Sequence, residues 1–243
     1  MIEYLVLVAL GAFIAAALTV PAGFGLSTVL TPLVLLLIPP HEAIAVVAIV
    51  HGAHNAGKLA LLWENVDLEA FKRYGVWLIL GSVVGALLQS RVPQRPLLVI
   101  LGIALIVLPA LTLSEKWTGY MMPESNDRVG GFGSGFMGGL SGHQGALRAM
   151  FLSRRISNKM SYAATASILA LCVDLSRIPV YLFYRSEEVF SHYGLTVVLV
   201  ISALLGARLG KVWLKNIDSI LIRRGVMVGI ILSGFLYVFE ALY

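Results

Sequence analysis

Residues 42–63 read EAIAVVAIVHGAHNAGKLALLW, an apolar run long enough to cross a lipid bilayer as a helix. Four polar side chains interrupt this run: His51, His54, Asn55 and Lys58. Their spacing places all four on one face of a helix, within roughly 100°. An ionisable group at bilayer depth costs about 2.5–3.5 kcal/mol, so such a face is expected to line a protein interior or an aqueous pathway.

The composition of the whole chain predicts a polytopic membrane protein. Of its 243 residues, 58% are hydrophobic and 13% are charged, about half the charged share of a soluble domain. Too few polar side chains remain to cover a surface that faces water. The single cysteine, Cys172, excludes an intrachain disulfide and a cysteine-based metal site. The net charge of +5 is modest, and nucleic acid is not expected as a partner.

Apolar segments predict an all-α fold with about eight transmembrane helices. The segments fall near 4–38, 42–63, 71–91, 95–113, 129–152, 160–184, 193–213 and 220–242. Most have about 20 residues, the length that a hydrocarbon core of about 30 Å requires. Glycine-rich stretches break the first segment at Pro21–Gly25 and the fifth at Gly142–Gly145. Non-helical backbone at this depth is tolerated only inside the protein or beside an aqueous cavity.

The charged residues between the segments predict the topology. Basic residues concentrate in three loops, around Arg91 and Arg95, around Arg154, Arg155 and Lys159, and from Lys211 to Arg224. The intervening loops are richer in acids. If residues 129–152 cross the membrane once, all three basic loops lie on one side, which the positive-inside rule makes cytoplasmic. A re-entrant hairpin would mix basic and acidic loops on both sides, so a single crossing is favoured.

The two halves of the chain correspond at an offset of about 120 residues. The stretch from Gly23 to Thr28 matches the stretch from Gly142 to Arg148, and Gly85-Ala-Leu-Leu matches Gly206-Ala-Arg-Leu. The pattern predicts two transmembrane repeats, residues 1–118 and 119–243, each with one broken span followed by three spans. Broken spans at corresponding positions of two repeats point to the binding site of a transporter.

The motifs at the two breaks resemble those of the TauE/SafE sulfite exporter family. The first reads Pro-Ala-Gly-Phe-Gly-Leu-Ser at 21–27, with Pro32 further on, and the second reads Gly-Leu-Ser-Gly-His-Gln-Gly-Ala-Leu-Arg at 139–148. The resemblance extends over essentially the whole chain. It implies a multi-pass carrier in the inner (plasma) membrane of a bacterial-type cell, for small anions such as sulfite or organosulfonates.

The ionisable side chains inside the predicted spans also favour an anionic ligand. The cations are Lys58, Arg148 and Arg177, and the one clear acid is Asp174. One ion pair leaves at least one positive charge without a partner, and a bound anion supplies it. The alternative for Lys58 and Arg148 is that they extend to the membrane interface. Arg177, three residues after Asp174, is expected to be its structural partner more than a ligand.

The broken spans offer a second means of holding an anion. Short helices that start near Gly25 and Gly145 expose unpaired N–H groups and the positive end of a helix dipole. Neutral donors at the breaks are Ser27, Thr28 and Gln144. By contrast, Gly131, Gly135 and Gly139, spaced four apart, are expected to permit close helix packing.

The histidines leave more than one role open. His51, His54 and His143 can bind an anion while protonated or carry a coupling proton, since histidine titrates near neutral pH. A lone histidine in a span is often a packing residue. A metal site from these three is disfavoured because no carboxylate or cysteine completes it. No cofactor is expected, and without a GxxxxGK[ST] motif the chain is not expected to use ATP by itself.

These observations predict a secondary transporter, not an enzyme, that moves a small anion by alternating access. The alternatives are a passive anion channel, a partner subunit without its own path, and a membrane-embedded enzyme, for which no nucleophile with a matched base is recognisable. The expected partners are a small anion and membrane lipid, with coupling protons and a homodimer left open. The predicted substrate-binding residues are Gly25, Ser27, Thr28, His51, His54, Asn55, Lys58, His143, Gln144, Gly145, Arg148, Asp174 and Arg177.

Overall fold

A computed structural model gives the fold and describes residues 2–22, 25–118, 127–216 and 219–242. Over these residues the chain forms helices and no strands. The helices are α1 (Ile2–Ala22), α2 (Leu26–Leu35), α3 (Pro40–Leu62), α4 (Leu68–Gln89), α5 (Gln94–Thr118), α6 (Asp127–Ser141), α7 (Gln144–Arg155), α8 (Lys159–Ser191), α9 (Tyr193–Asn216) and α10 (Ser219–Leu242).

The helices are those of an all-α polytopic membrane protein, as the sequence predicts. Among the described residues, four stretches are long and apolar enough to cross a membrane: Pro40–Asn65, Leu68–Gln89, Lys159–Ser191 and Tyr193–Val212. Shorter apolar helices accompany them at Leu5–Val20, Leu26–Leu35, Gln94–Val107 and Met227–Phe239. Many large hydrophobic side chains, such as Leu80 and Leu232, are exposed on the outside. A surface that faces lipid requires such exposure.

Both predicted breaks are present, and each separates two helices. The first lies between α1 and α2, where Gly25 precedes α2 with a φ of 110°. Gly23 and Phe24 of that motif lie outside the described residues. The second break lies between α6 and α7, where Gly142 has a φ of 83°. Glycine adopts this left-handed backbone conformation without steric cost, which explains its presence at both turns.

The helices on either side of the second break run antiparallel. Gly130 of α6 faces the ring of Phe151 in α7, and Gly133 faces Leu147. Asp127 and Arg155, at the outer ends of the two helices, form an ion pair of 3.0 Å. Helix α7 therefore doubles back along α6. The prediction of a single crossing over residues 129–152 is wrong, because the turn at Gly142 reverses the chain instead of bending it.

The first break gives a similar hairpin of α1 and α2. Gly11 of α1 faces Leu33 of α2, while Thr19, near the end of α1, and Thr28, near the start of α2, line the same groove. The pairing order shows that these two helices are also antiparallel. We call α1–α2 the first hairpin and α6–α7 the second hairpin.

Glycines bring helix α6 against helix α4. A side-chain carbon at Gly135 would lie 1.9 Å from the carbonyl oxygen of Leu78, and one at Gly139 would lie 2.0 Å from that of Ser82. The contacts follow the same order in both chain segments, so α6 and α4 are parallel. The expectation that the glycines spaced four apart permit close packing is confirmed. Gly206 and Gly210 of α9 bring α1 close in the same way.

The packing directions assign each connection to one of two ends of the bundle. Helix α8 packs antiparallel to α3, since Gly52 faces Asp174 and Leu62 packs with Ala163. Helix α5 packs antiparallel to α10, where Gly102 faces Gly234. One end, here named the Val66 end, carries the α3–α4, α7–α8 and α9–α10 connections. The other, the Arg91 end, carries the α4–α5 and α8–α9 connections.

The two hairpins enter the bundle from opposite ends. The first hairpin enters from the Arg91 end, because α1 is parallel to α9. The second enters from the Val66 end, because α6 is parallel to α4. Arg91 and Arg95 consequently lie at the opposite end from Arg155 and Lys159. The prediction that all three basic loops share one side is therefore wrong as well, and its error follows from the reversal at Gly142.

Site-directed labelling tests this topology. In a Cys172→Ser background we expect Glu64→Cys and Ser157→Cys to react with a membrane-impermeant maleimide from the same side of the membrane. Glu187→Cys is expected to react from the other side. All three positions are exposed. A single crossing over residues 129–152 would instead place Ser157→Cys opposite Glu64→Cys, and that labelling pattern would contradict the hairpin.

Candidate functional site

The tips of the two hairpins meet inside the bundle. The Ser27 hydroxyl in the first turn of α2 donates a hydrogen bond of 2.7 Å to the carbonyl oxygen of Gly142. Helix α2 starts after Gly25 and helix α7 starts after His143, and neither of these residues provides a side-chain cap. Two helix N-termini with uncapped N–H groups are thus brought together at the centre of the bundle.

The polar face of α3 lies against this meeting point. His51, His54, Asn55 and Lys58 are all buried, and all four line one small cavity. We call it the polar cavity, and its remaining lining residues are Thr19, Gly25, Leu26 and Arg148. The helical spacing of the four α3 residues explains why they share one wall. The cavity is enclosed by α1, the start of α2, α3 and α7.

The polar cavity is nearly closed. Its volume is about 10 Å³, which is about the minimum for one water molecule. An anion with several heavy atoms needs more room than this cavity provides.

A buried charge network joins α3 and α8 beside the polar cavity. Asp174 accepts hydrogen bonds from His51 Nδ1 at 2.7 Å and from Arg177 Nε and Nη2 at 3.0 and 2.7 Å. The expectation that Arg177 is a structural partner of Asp174 is confirmed. The other wing of the guanidinium donates to the Gly138 carbonyl at 2.7 Å. The network therefore also holds the inner end of α6.

Neighbouring hydrogen bonds orient the residues of this network. The Asn55 side chain donates to the His51 carbonyl at 2.8 Å, within α3. The Tyr181 hydroxyl of α8 donates to the carbonyl of Gly139, one residue beyond the contact that Arg177 makes. Two side chains of α8 thus fix the last turn of α6, which positions the turn at Gly142 against Ser27.

Lys58 and Arg148 carry the charges that the network leaves uncompensated. Their relative exposures are 4% and 2%. Neither makes an ion pair or a hydrogen bond with any residue in the described parts of the chain. The alternative that these side chains extend to the membrane interface is wrong for both, since both are enclosed by protein. A buried cation without a partner is costly.

Other buried polar groups near the hairpin tips also lack hydrogen bonds. Both polar side-chain atoms of Gln144 have no hydrogen-bond partner among the described residues, and the rings of His54 and His143 have only the backbone of Ala16 and of Ser141 close to them. A buried polar group left unpaired costs about 1–3 kcal/mol.

The structure brings together most of the predicted site. Of the predicted residues, Gly25 and Arg148 join the α3 face on the cavity wall. The other seven do not line it, namely Ser27, Thr28, His143, Gln144, Gly145, Asp174 and Arg177, and Thr28 lines the groove of the first hairpin instead. The sequence analysis missed Thr19 and Leu26, which do line it. For Thr19 a signal exists, because it is the one polar side chain in the apolar run before Pro21.

The described residues contain no group of three or more histidine, cysteine or acidic side chains placed to hold a metal ion. In particular, His51 is hydrogen-bonded to Asp174 and does not form a set of metal ligands with His54 and His143.

Removal of the acid tests the structural role of the network. We expect Asp174→Asn to lower the free energy of unfolding by about 3–5 kcal/mol, because Arg177 then becomes a buried cation without a partner. The matched control is Glu69→Gln, which breaks the exposed ion pair with Arg73 and should cost about 1 kcal/mol or less. Unfolding in detergent measures both. Equal losses in the two variants would contradict the buried network.

Comparison with known proteins gives one match. The sequence profile of the family described as sulfite exporter TauE/SafE matches residues 8–237. No curated protein and no solved structure was found to match the chain. The matched range includes the first hairpin from residue 8 onward, the whole second hairpin and every residue of the polar cavity.

Proposed function

The chain belongs to the sulfite exporter TauE/SafE family, and on that premise we propose that it is a secondary transporter for a small sulfur-containing anion such as sulfite or an organosulfonate. The observation that carries the proposal is the pair of buried, uncompensated cations, Lys58 and Arg148, beside the touching tips of two hairpins.

The charges of the site support an anionic substrate. Asp174 neutralises Arg177, which leaves Lys58 and Arg148 as excess positive charge at the polar cavity. The guanidinium of Arg148 suits two oxygens of an oxyanion, and the ammonium of Lys58 adds a point charge. The N-termini of α2 and α7 contribute N–H groups and the positive ends of their dipoles. No carboxylate lines the cavity to repel an anion.

The arrangement of the helices supports alternating access between two inverted repeats, residues 1–118 and 119–243. Each proposed repeat starts with a hairpin, and the hairpins enter from opposite ends. Helix α1 packs on α9 as α6 packs on α4, while α3 meets α8 and α5 meets α10 in antiparallel pairs. Repeats related in this way allow one half to rock against the other around a central site.

Each hairpin tip is proposed to act as a gate toward one end. The Ser27–Gly142 hydrogen bond joins the two gates, and the near-closed polar cavity corresponds to a state in which both are shut. Gly25 and Gly142 are the proposed hinges, since their backbone conformations are open to glycine and strained for other residues. A closed cavity favours a carrier over a passive channel, which needs a continuous path.

His51 and Asp174 are the proposed site of proton coupling. Their hydrogen bond links the α3 wall of the polar cavity to α8. A proton on His51 changes the charge beside Lys58 and Arg148, and with it the affinity for an anion. This assignment makes the proton gradient a driving force that the chain can use without ATP.

The distribution of basic residues supports an orientation with the Val66 end in the cytoplasm. Its described Lys and Arg residues near helix ends are Lys72, Arg73, Lys116, Arg128, Arg154, Arg155, Lys159, Lys211, Lys215, Arg223 and Arg224, whereas the Arg91 end has Arg91, Arg95 and Arg185. The positive-inside rule counts basic residues near the ends of spans, so the richer end is proposed to be cytoplasmic. The proposed location is the plasma (inner) membrane.

Transport by the purified chain tests the proposal. In proteoliposomes we expect sulfite flux that saturates with concentration. Arg148→Gln and Lys58→Met are each expected to lower it by about tenfold or more, because each loses a charged contact to the anion. Lys72→Gln, an exposed basic residue outside the cavity, is the control and should keep wild-type flux. Linear, unsaturable flux would indicate a channel.

The stability of the same variants separates loss of binding from misfolding. Without anion, Lys58→Met is expected to raise the melting temperature, because the variant removes an unpaired buried charge. Each kcal/mol gained in the free energy of unfolding should raise the melting temperature by about 2–4 °C. The wild type should gain stability from sulfite, and Lys58→Met and Arg148→Gln should gain less. If both variants melt below the wild type and still gain as much from sulfite, the anion does not sit between these cations.

A further inference from the structure

A second cavity lies on the outside of the bundle, between α3 and α9. This groove has a volume of about 400 Å³. On α3 it is lined by small and apolar residues at Gly57, Ala60 and Leu61, and on α9 by Ile201, Leu205 and Arg208. It occupies a different face of α3 from the one that carries Lys58. We call it the α3–α9 groove.

Arg208 stands out among the residues of this groove. It lies within the apolar span Tyr193–Val212 and its side chain is exposed. It makes no ion pair or hydrogen bond with any residue that the structure describes. A guanidinium on the lipid-facing surface of a span is costly unless an anion or the interface receives it. No acidic residue lines the groove.

We propose that the α3–α9 groove binds an anionic phospholipid, with its phosphate on Arg208 and one acyl chain along the groove toward Ile201. The guanidinium can hold two phosphate oxygens at once. Lys211 follows three residues later on the same helix and adds a second positive charge. Basic positions beside grooves between transmembrane helices are suited to anionic head groups.

The apolar walls decide between a lipid and a free phosphate ion. Leu61, Ile201 and Leu205 are exposed along the groove, at 36%, 53% and 52%. They offer contacts to an acyl chain and no hydrogen bonds to a soluble anion. Ile201 and Arg208 are seven residues apart on α9, so an acyl chain from a head group at Arg208 runs along about 10 Å of helix.

The bound lipid would bridge two helices that matter for the polar cavity. Helix α3 supplies four lining residues of that cavity, and α9 packs against both α3 and α1. At Gly57 the two helices are close, since a side-chain carbon there would lie 2.8 Å from Leu204 Cδ2. A phospholipid in the groove is therefore expected to stabilise the packing of α3 on α9.

Native mass spectrometry of the full chain with added lipid tests the site. We expect the wild type to retain phosphatidylglycerol at least fivefold more than phosphatidylcholine of the same acyl chains. Arg208→Gln should remove this preference. Ala60→Phe, which fills the groove and leaves the charge, should lower retention of phosphatidylglycerol. Lys72→Gln removes an exposed basic residue near the same end and outside the groove, and should leave the preference unchanged.

Three outcomes would overturn the proposal. Equal retention of the two lipids by the wild type would remove its basis. Equal effects of Arg208→Gln and Lys72→Gln would show diffuse attraction to a basic surface. Thermal stabilisation by inorganic phosphate alone, to the level given by phosphatidylglycerol, would show a site for free anions. Sulfite stabilisation, measured in parallel, reports on the polar cavity and is independent of all three. Because Arg208 and Ala60 are both exposed, the variants are expected to fold, which their melting temperatures without lipid check.

Discussion

The structure depends on an imbalance of buried charge. Three cationic side chains, Lys58, Arg148 and Arg177, are enclosed by protein, and Asp174 is the one carboxylate that shares their surroundings. Asp174 is committed to Arg177 and His51 by three hydrogen bonds. The two remaining cations face a cavity that no carboxylate of the described residues lines, so their burial carries an electrostatic cost. A bound anion removes that cost, which makes binding and stability two readouts of one interaction.

Glycine-mediated packing places this charge where it can act. Because glycine has no side chain, the backbones come close where Gly135 of α6 meets Leu78 of α4 and where Gly206 of α9 meets Phe13 of α1. Each hairpin therefore packs closely against a full-length helix. Each hairpin can then reach the centre of the bundle and end there. The ends are helix N-termini, which favour anions, and they meet through Ser27 and Gly142. The start of α2, at Gly25 and Leu26, lines the polar cavity together with Lys58 and Arg148.

The sequence predicts the parts of the site that local periodicity determines. His51, His54, Asn55 and Lys58 share one helix, so their common wall follows from 3.6 residues per turn, and the Asp174–Arg177 pair follows from i, i+3 spacing. The predicted direction of α7 is wrong because the same residues around Gly142 are compatible with a kink and with a reversal of the chain. The φ of 83° at Gly142, which accompanies the reversal, is a property of the fold. The Ser27–Gly142 bond depends on a contact between distant segments, which one sequence does not encode locally.

A crystal structure determined with selenite would test the central claim most directly. Selenite has the shape and charge of sulfite, and the anomalous scattering of selenium locates it without reference to the protein density. Our account predicts an anomalous peak within hydrogen-bond distance of Lys58 Nζ and the Arg148 guanidinium, with the Ser27–Gly142 contact broken or lengthened. Anomalous density confined to the surface, with Lys58 and Arg148 still buried and the cavity closed at saturating selenite, would contradict it.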